Sequence, residues 1–130
     1  MALTKRIKLG GAYYEGYKIA VSATPADYPV YIQNARGAAL NGMSIIPDSA
    51  GSGDTIKIAH YSGLSGAGHI VALIATNVYN MGQDSAIVLD FPAAELVNAG
   101  ESIKVTYVNT ASIAMNVHIL TEWVGIQKTA

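Results

Sequence analysis

The chain has 130 residues and a formal net charge of −1, so one domain of ordinary size is expected, without a strong attraction to nucleic acid. Charged residues make up 13% of the sequence, against about 25% in an average soluble domain, and apolar residues reach 51%. A surface this poor in charge is covered by a partner or by copies of the chain, or consists of neutral polar residues. The chain has no cysteine, which excludes a disulfide framework and thiol chemistry.

The amino-terminal segment MALTKRIKLGG has positive charges but no apolar region after them, so no signal peptide is expected. The longest apolar run, IVALIA, has six residues, where a membrane-spanning helix needs about 20. Three of the eight basic residues lie at Lys5, Arg6 and Lys8, just before a Gly-Gly pair. They predict a basic arm over residues 1–11 that reaches a neighbouring subunit, an acidic protein or nucleic acid. A solvated amino-terminal strand is the other interpretation.

Between frequent turn residues, apolar and polar side chains alternate, which is typical of half-buried strands. The alternation predicts strands at residues 5–9, 17–23, 30–33, 43–46, 54–61, 69–76, 85–91, 101–108 and 115–123. Residues 69–76 and 85–89 are apolar on both faces, which predicts covered strands in the middle of a sheet. In the strand at 54–61, Ile56, Ile58 and His60 share one face. In the strand at 101–108, one face carries Ile103, Val105 and Tyr107. In the strand at 115–123, one face carries Met115, Val117, Ile119, Thr121 and Trp123.

The segment from Phe91 to Leu96 is too short for a helix that packs by itself. It predicts a crossing loop or a single helical turn that starts at Pro92. Asn98–Gly100 then supplies a tight turn before the next strand. Short strands with turn signals every ten to fifteen residues favour an antiparallel sandwich or barrel over a mixed α/β enzyme.

No motif in the sequence assigns a reaction. His60, His69 and His118 lack the spacing of helical metal ligands, and the glycine-rich segments lack the Lys-Ser/Thr of a phosphate loop. Carboxylates at turns and strand starts, such as Asp54, are expected to accept backbone N–H bonds. We therefore expect no enzyme, no cofactor and no metal. An enzyme would require one of the histidines to meet a carboxylate in one cleft.

Five of the eight tyrosines fall within residues 13–31. Tyrosine joins a large contact area to a polar tip and is enriched at interfaces, although some of these rings could simply line the sandwich. Exposed tyrosines and Trp123 could also stack on sugar rings. The candidate interface residues are Lys5, Arg6, Lys8, Tyr13, Tyr14 and Tyr17.

The short arm, the compact β-domain rich in Ala, Gly, Ser and Asn, and the absence of Cys resemble small phage capsid decoration (cement) proteins. The closing segments FPAAELVNAGESIKVTYVN and AMNVHILTEWVGI are similar to the last strands of viral β-sandwich and jelly-roll domains. The resemblance implies an all-β chain, an antiparallel jelly-roll-like sandwich of eight or nine strands over residues 12–130, preceded by the arm.

The same resemblance implies a virion structural protein, made in the host cytoplasm, that binds and stabilises the outer surface of a phage capsid. Its implied partners are the major capsid protein and copies of itself, with a trimer favoured, and neither a membrane nor a specific nucleic acid. A carbohydrate-binding, lectin-like β-sandwich module is the alternative function.

Overall fold

A computed structural model describes residues 3–9, 12–33, 37–49, 51–81 and 87–124 of the chain. The strands are β1 (Leu3–Leu9), β2 (Ala12–Val21), β3 (Ala26–Gln33), β4 (Ala38–Pro47), β5 (Gly51–Tyr61), β6 (Ile70–Met81), β7 (Ile87–Val97), β8 (Ser102–Asn109) and β9 (Met115–Val124). A single 3₁₀ turn at Leu64–Gly66 lies between β5 and β6. Each strand predicted from the alternation is confirmed in the described ranges, and most of them are longer than predicted; residues 85 and 86 of the strand predicted at 85–91 lie outside these ranges. In these ranges no helix is long and apolar enough to cross a membrane.

The strands form two antiparallel sheets, with the orders β1-β2-β9-β4-β7 and β3-β8-β5-β6. The chain has the topology of one long hairpin that is folded over, with the β5–β6 connection at its tip. β5 pairs with β6, β4 with β7, β3 with β8 and β2 with β9. Going from the tip towards the chain ends, these pairs lie alternately in the four-stranded and the five-stranded sheet. Pairing of β5 with β8 connects the two pairs of the four-stranded sheet, and pairing of β4 with β9 connects the two pairs of the five-stranded sheet. This is the strand order of a jelly roll, so the expected antiparallel jelly-roll sandwich is confirmed.

The inner faces of the two sheets share one apolar core. β9 alternates between buried and more exposed residues from Met115 to Trp123, as its sequence predicts. Trp123 is fully buried, and the ring of Tyr13 stacks on it with 6.4 Å between centroids. The Trp123 Nε1–H donates to Thr121 Oγ1 at 2.8 Å, and the Thr121 hydroxyl donates to the Glu15 carbonyl at 3.0 Å. Polar groups at this end of the core are therefore hydrogen-bonded, as burial requires.

Both strands predicted for the middle of a sheet lie at sheet edges instead. β6 is an edge of the four-stranded sheet and β7 an edge of the five-stranded sheet. The prediction of their positions is wrong because an apolar strand indicates that both of its faces are covered, without saying what covers them.

The predicted loop or helical turn from Phe91 to Leu96 is also wrong, because β7 continues through it to Val97. Leu40 pairs with Glu95 and Gly42 pairs with Asp90, so four residues of β7 stand opposite a single residue of β4. Pro92 falls within this irregularity, where the ladder does not require its missing N–H. The proline marks a bulge in a strand rather than the start of a helix.

Candidate functional site

A polar cluster that joins the two sheets is centred on His60, near the end of β5. His60 Nδ1 lies 2.7 Å from Glu95 Oε2, and Nε2 lies 2.8 Å from Glu101 Oε1. Glu95 belongs to β7 in one sheet, and Glu101 precedes β8 in the other. The imidazole therefore links the two sheets at the β7–β8 corner. We call these three residues the His60 clip.

The hydrogen bonds of the His60 clip favour the ionised form of the Glu101 carboxylate. The Asn98 N–H donates to Glu101 Oε1 at 2.9 Å. This N–H, followed by the His60 ring, holds the pKa of Glu101 below its ordinary value, and burial opposes them. Each ring nitrogen of His60 lies within hydrogen-bonding distance of a carboxylate oxygen, so neither nitrogen is left without a protein partner.

The clip is the meeting of histidine and carboxylate that an enzyme would require. However, the His60 side chain is 2% exposed, and both of its nitrogens face protein carboxylates. A general base needs a nitrogen within hydrogen-bond reach of the substrate proton. The geometry is that of a buried imidazole that contacts two carboxylates and holds a corner. Sequence alone did not pair these residues, because the contact depends on which strands become neighbours.

The predicted basic residues Lys5, Arg6 and Lys8 lie on β1, the edge strand of the five-stranded sheet, which pairs antiparallel with β2. Charged residues on an edge strand discourage pairing with another strand, which gives them a structural use besides an interface. The division into an arm and a sandwich domain, and the role of these residues in a contact, stay predictions.

The three tyrosines predicted for an interface have different surroundings. Tyr13 and Tyr17 are 5% and 2% exposed and belong to the core, so their rings are not available to a partner. Tyr17 donates its hydroxyl to Glu15 Oε1 at 2.6 Å. Tyr14 points to the outer face of the five-stranded sheet, where it borders a shallow depression with Val88 and Leu120. Of these three tyrosines, only Tyr14 keeps exposed surface for the predicted contact.

Trp123 cannot stack on a sugar ring, because its side chain is fully buried. This corrects the expectation attached to the carbohydrate-binding alternative. Another surface offers the required residue types. A groove of ≈ 260 Å³ on the outer face of the four-stranded sheet is bordered by Tyr61, Lys57, Lys104 and Asp27. The Lys104 ammonium lies 5.9 Å from the centroid of the Tyr31 ring beside this groove.

Exposed large apolar side chains are concentrated on two strands. Seven such side chains occur among the residues whose exposure the structure describes, and five of them lie on β6 or β7: Ile70, Val71, Leu73, Val88 and Leu96. The contact between His60 of β5 and Glu95 of β7 places the β7 edge on the same side of the sandwich as β6. Sequence reasoning did not single out these residues, although the apolar character of both strands was the signal for them.

The part of the chain that the structure describes contains no group of three or more His, Asp or Glu side chains that could hold a metal ion. No protein-family model and no curated protein matches the sequence.

A comparison with solved structures finds several distant similarities. A chain of the structure of infectious bursal disease virus Gx strain has 10% identity and a TM-score of 0.42 over 96% of this chain, which spans only 34% of that chain. A CBM4, a carbohydrate-binding module, has 9% identity and a TM-score of 0.37 over 92% of this chain and 89% of its own. A chain of the Macrobrachium rosenbergii extra small virus VLP has 11% identity and a TM-score of 0.31 over 95% of this chain and 86% of its own. None of these likenesses assigns a function to this chain.

Proposed function

We propose that the chain is a virion structural protein that binds and stabilises the outer surface of a phage capsid, in contact with the major capsid protein and with copies of itself. The observation that carries the proposal is that five of the seven exposed large apolar side chains in the described residues lie on the two edge strands β6 and β7. Exposed large apolar side chains that recur along an edge strand favour a surface that another protein covers.

The low charge of the chain supports the same proposal. Only 13% of the residues are charged, so much of the surface can be covered without desolvating ionised groups. Many weak contacts repeated by symmetry give strong attachment without a single deep site. The proposed role is non-enzymatic, and the engaged nitrogens of the buried His60 support it.

The test measures binding of the purified chain to shells assembled from the major capsid protein of the same virus, by co-sedimentation. The variant Lys5→Gln/Arg6→Gln/Lys8→Gln removes the predicted contact charges and keeps the β1 backbone. The matched control is Lys57→Gln/Lys104→Gln, which neutralises two lysines on the opposite sheet. We expect the intact chain and the control to sediment with shells, and the β1 variant to bind at least about tenfold more weakly.

The outcomes separate the parts of the proposal. No co-sedimentation of the intact chain under any salt condition would refute the capsid role. Equal binding by the β1 variant and the intact chain would refute the contribution of the basic residues. A truncation lacking residues 1–11 complements the substitutions, and circular dichroism shows whether it keeps its fold.

The groove beside Tyr61 favours one second candidate, a carbohydrate-binding module. A tyrosine ring offers a stacking surface, and the neighbouring lysine, aspartate and threonine side chains offer donors and acceptors for hydroxyl groups. Calorimetry with oligosaccharides that bind in a glycan screen tests it, using Tyr61→Ala and the control Tyr14→Ala on the other sheet. Binding that is lost only in Tyr61→Ala would support this function, whereas no binding by the intact chain would exclude the sugars screened.

A further inference from the structure

The four edge strands of the sandwich differ in how they are protected from pairing with other strands. Edge strands of natural proteins usually carry charges or proline, because the unpaired N–H and C=O groups along an edge can template another strand. β1 contains three basic residues, β3 contains Asp27 and Pro29, and β7 contains Asp90, Pro92 and Glu95.

β6 differs from these strands, because its only such feature is that its ladder with β5 is irregular at three places. Its sequence, IVALIATNVYNM, has no charged residue and no proline over 12 residues, and it is the longest strand in the described ranges. At about 3.3 Å per residue, its edge extends for roughly 40 Å. Leu73 is 71% exposed, and Ile70 and Val71 are each nearly half exposed. A strand with these properties is expected to pair with another strand or to aggregate.

We propose that β6 pairs antiparallel with β6 of a second copy of this chain, which joins two four-stranded sheets into one sheet of eight strands. The inference deepens the proposed function, on which it rests for the contact between copies, by naming the surface that makes this contact.

A second copy fits this edge better than a partner of another chemistry. The occupant of a strand edge must itself offer a row of backbone donors and acceptors, which β6 of another copy does. Self-pairing of a strand whose charges have one sign brings like charges close together across the ladder, and such pairs are destabilising. β6 is uncharged throughout, so it meets its own copy without this cost.

Symmetry favours antiparallel pairing of identical strands. Such a pair has a two-fold axis through its centre, each copy uses the same residues, and the assembly closes after two copies. Pairing of β6 with a different edge would be heterologous and would form a ring or an open filament. The charges and prolines of the other edges oppose that arrangement.

Sedimentation velocity of the isolated chain, across a range of concentrations and without any shell, tests the proposal. The variant Leu73→Lys places a charge on the β6 edge at a position too exposed to matter for the monomer core. Leu120→Lys is the matched control, since Leu120 is 47% exposed on β9 within the other sheet. We expect the intact chain and Leu120→Lys to dimerise, and Leu73→Lys to raise the dimer dissociation constant about tenfold or more.

A cysteine scan reports the register of the pairing, because the natural chain has no cysteine. Single variants Val71→Cys, Leu73→Cys, Ala75→Cys and Asn77→Cys sample the strand. A disulfide between copies requires Cα atoms about 4.4–6.8 Å apart, which an antiparallel pair provides only near its two-fold axis. We expect one maximum of cross-linking along the scan, well above the yield of the control Leu120→Cys.

Three results would overturn the pairing: a monomer at every concentration, a trimer that Leu73→Lys leaves intact, or cross-linking without a maximum. Each leaves the capsid role testable, because co-sedimentation with shells is measured separately. Conversely, a β6 dimer that does not bind shells would retain the pairing and refute the capsid role.

Discussion

Asp54 is a fully buried carboxylate at the start of the β5 core segment, and four hydrogen bonds converge on its two oxygens. The Thr110 N–H and hydroxyl donate to Oδ1 at 2.8 and 3.0 Å, and the Ala111 N–H donates at 3.0 Å. The Tyr107 hydroxyl donates to Oδ2. Burial by itself raises the pKa of Asp54, but these hydrogen bonds outweigh it and hold the pKa below its ordinary value. The ionised carboxylate therefore stabilises the corner between β8 and β9.

The lowered pKa of Asp54 fixes the sign of a pH effect. Stabilisation by the carboxylate is fully present above the unfolded pKa of about 3.9 and is lost as the pH falls through the lower folded pKa. We expect Asp54→Asn to lower the free energy of unfolding at pH 7 by about 1–3 kcal/mol, with a smaller difference at the lowest pH. Urea unfolding between pH 7 and pH 2.5 measures this, with exposed Asp27→Asn as the control. A difference that stays constant with pH would contradict the assignment.

The sequence predicted the surroundings of some single residues and not of others. The prediction that Asp54 accepts backbone N–H bonds is confirmed, but the donors belong to a corner more than fifty positions away in the chain. The tyrosine cluster gave no indication of which rings are buried, because a tyrosine suits a core and a surface equally. Tyr17 is in the core and Tyr31 points outward to Lys104, although both lie in strands.

At the scale of the strand, the His60 clip holds the β7–β8 corner to β5. We expect His60→Gln to lower the free energy of unfolding by about 1–3 kcal/mol, because the two carboxylates lose the imidazole that contacts both of them. His118→Gln is the matched control, since His118 is exposed on β9. Denaturant unfolding of both variants at pH 7 measures the difference.

The double-mutant cycle of His60→Gln with Glu101→Gln measures whether the two side chains act together. We expect a coupling energy of about 0.5–3 kcal/mol. Strictly additive effects of the two substitutions would show that the clip does not stabilise the corner.

Alternation predicted the existence and the inner faces of the strands well, because a period of two follows from the geometry of a strand. It could not predict sheet position, which depends on pairing over long distances. β6 shows the limit clearly, since its apolar residues predict covered faces while the single chain leaves Leu73 exposed. The β7 bulge was missed because Pro92 starts helices as readily as it marks irregular strands.

For the whole molecule, each strand pair encloses the next one along the chain, from β2·β9 on the outside to β5·β6 at the tip. This nested pairing determines which contacts can form at a low cost in conformational entropy. The β5–β6 pair closes a short loop, whereas Ala12 of β2 pairs with Val124 of β9. Closing a longer loop costs more conformational entropy. All-β sandwiches with such distant pairings fold in about milliseconds to seconds. The fold class was predictable from turns and alternation, but this nesting was not, since several strand orders satisfy the same pattern.

The nesting predicts that folding begins near the hairpin tip and that the outer pairs join later. Ile58 on β5 and Ile119 on β9 are 1% and 2% exposed, so Ile→Val removes the same methylene from equally buried sites, at a cost of about 0.5–1.5 kcal/mol. We expect Ile58→Val to slow folding and Ile119→Val mainly to speed unfolding. Stopped-flow fluorescence of the single, buried Trp123 follows both reactions. The opposite assignment of the two rates would mean that the β2·β9 pair, despite its distance in sequence, forms before the tip.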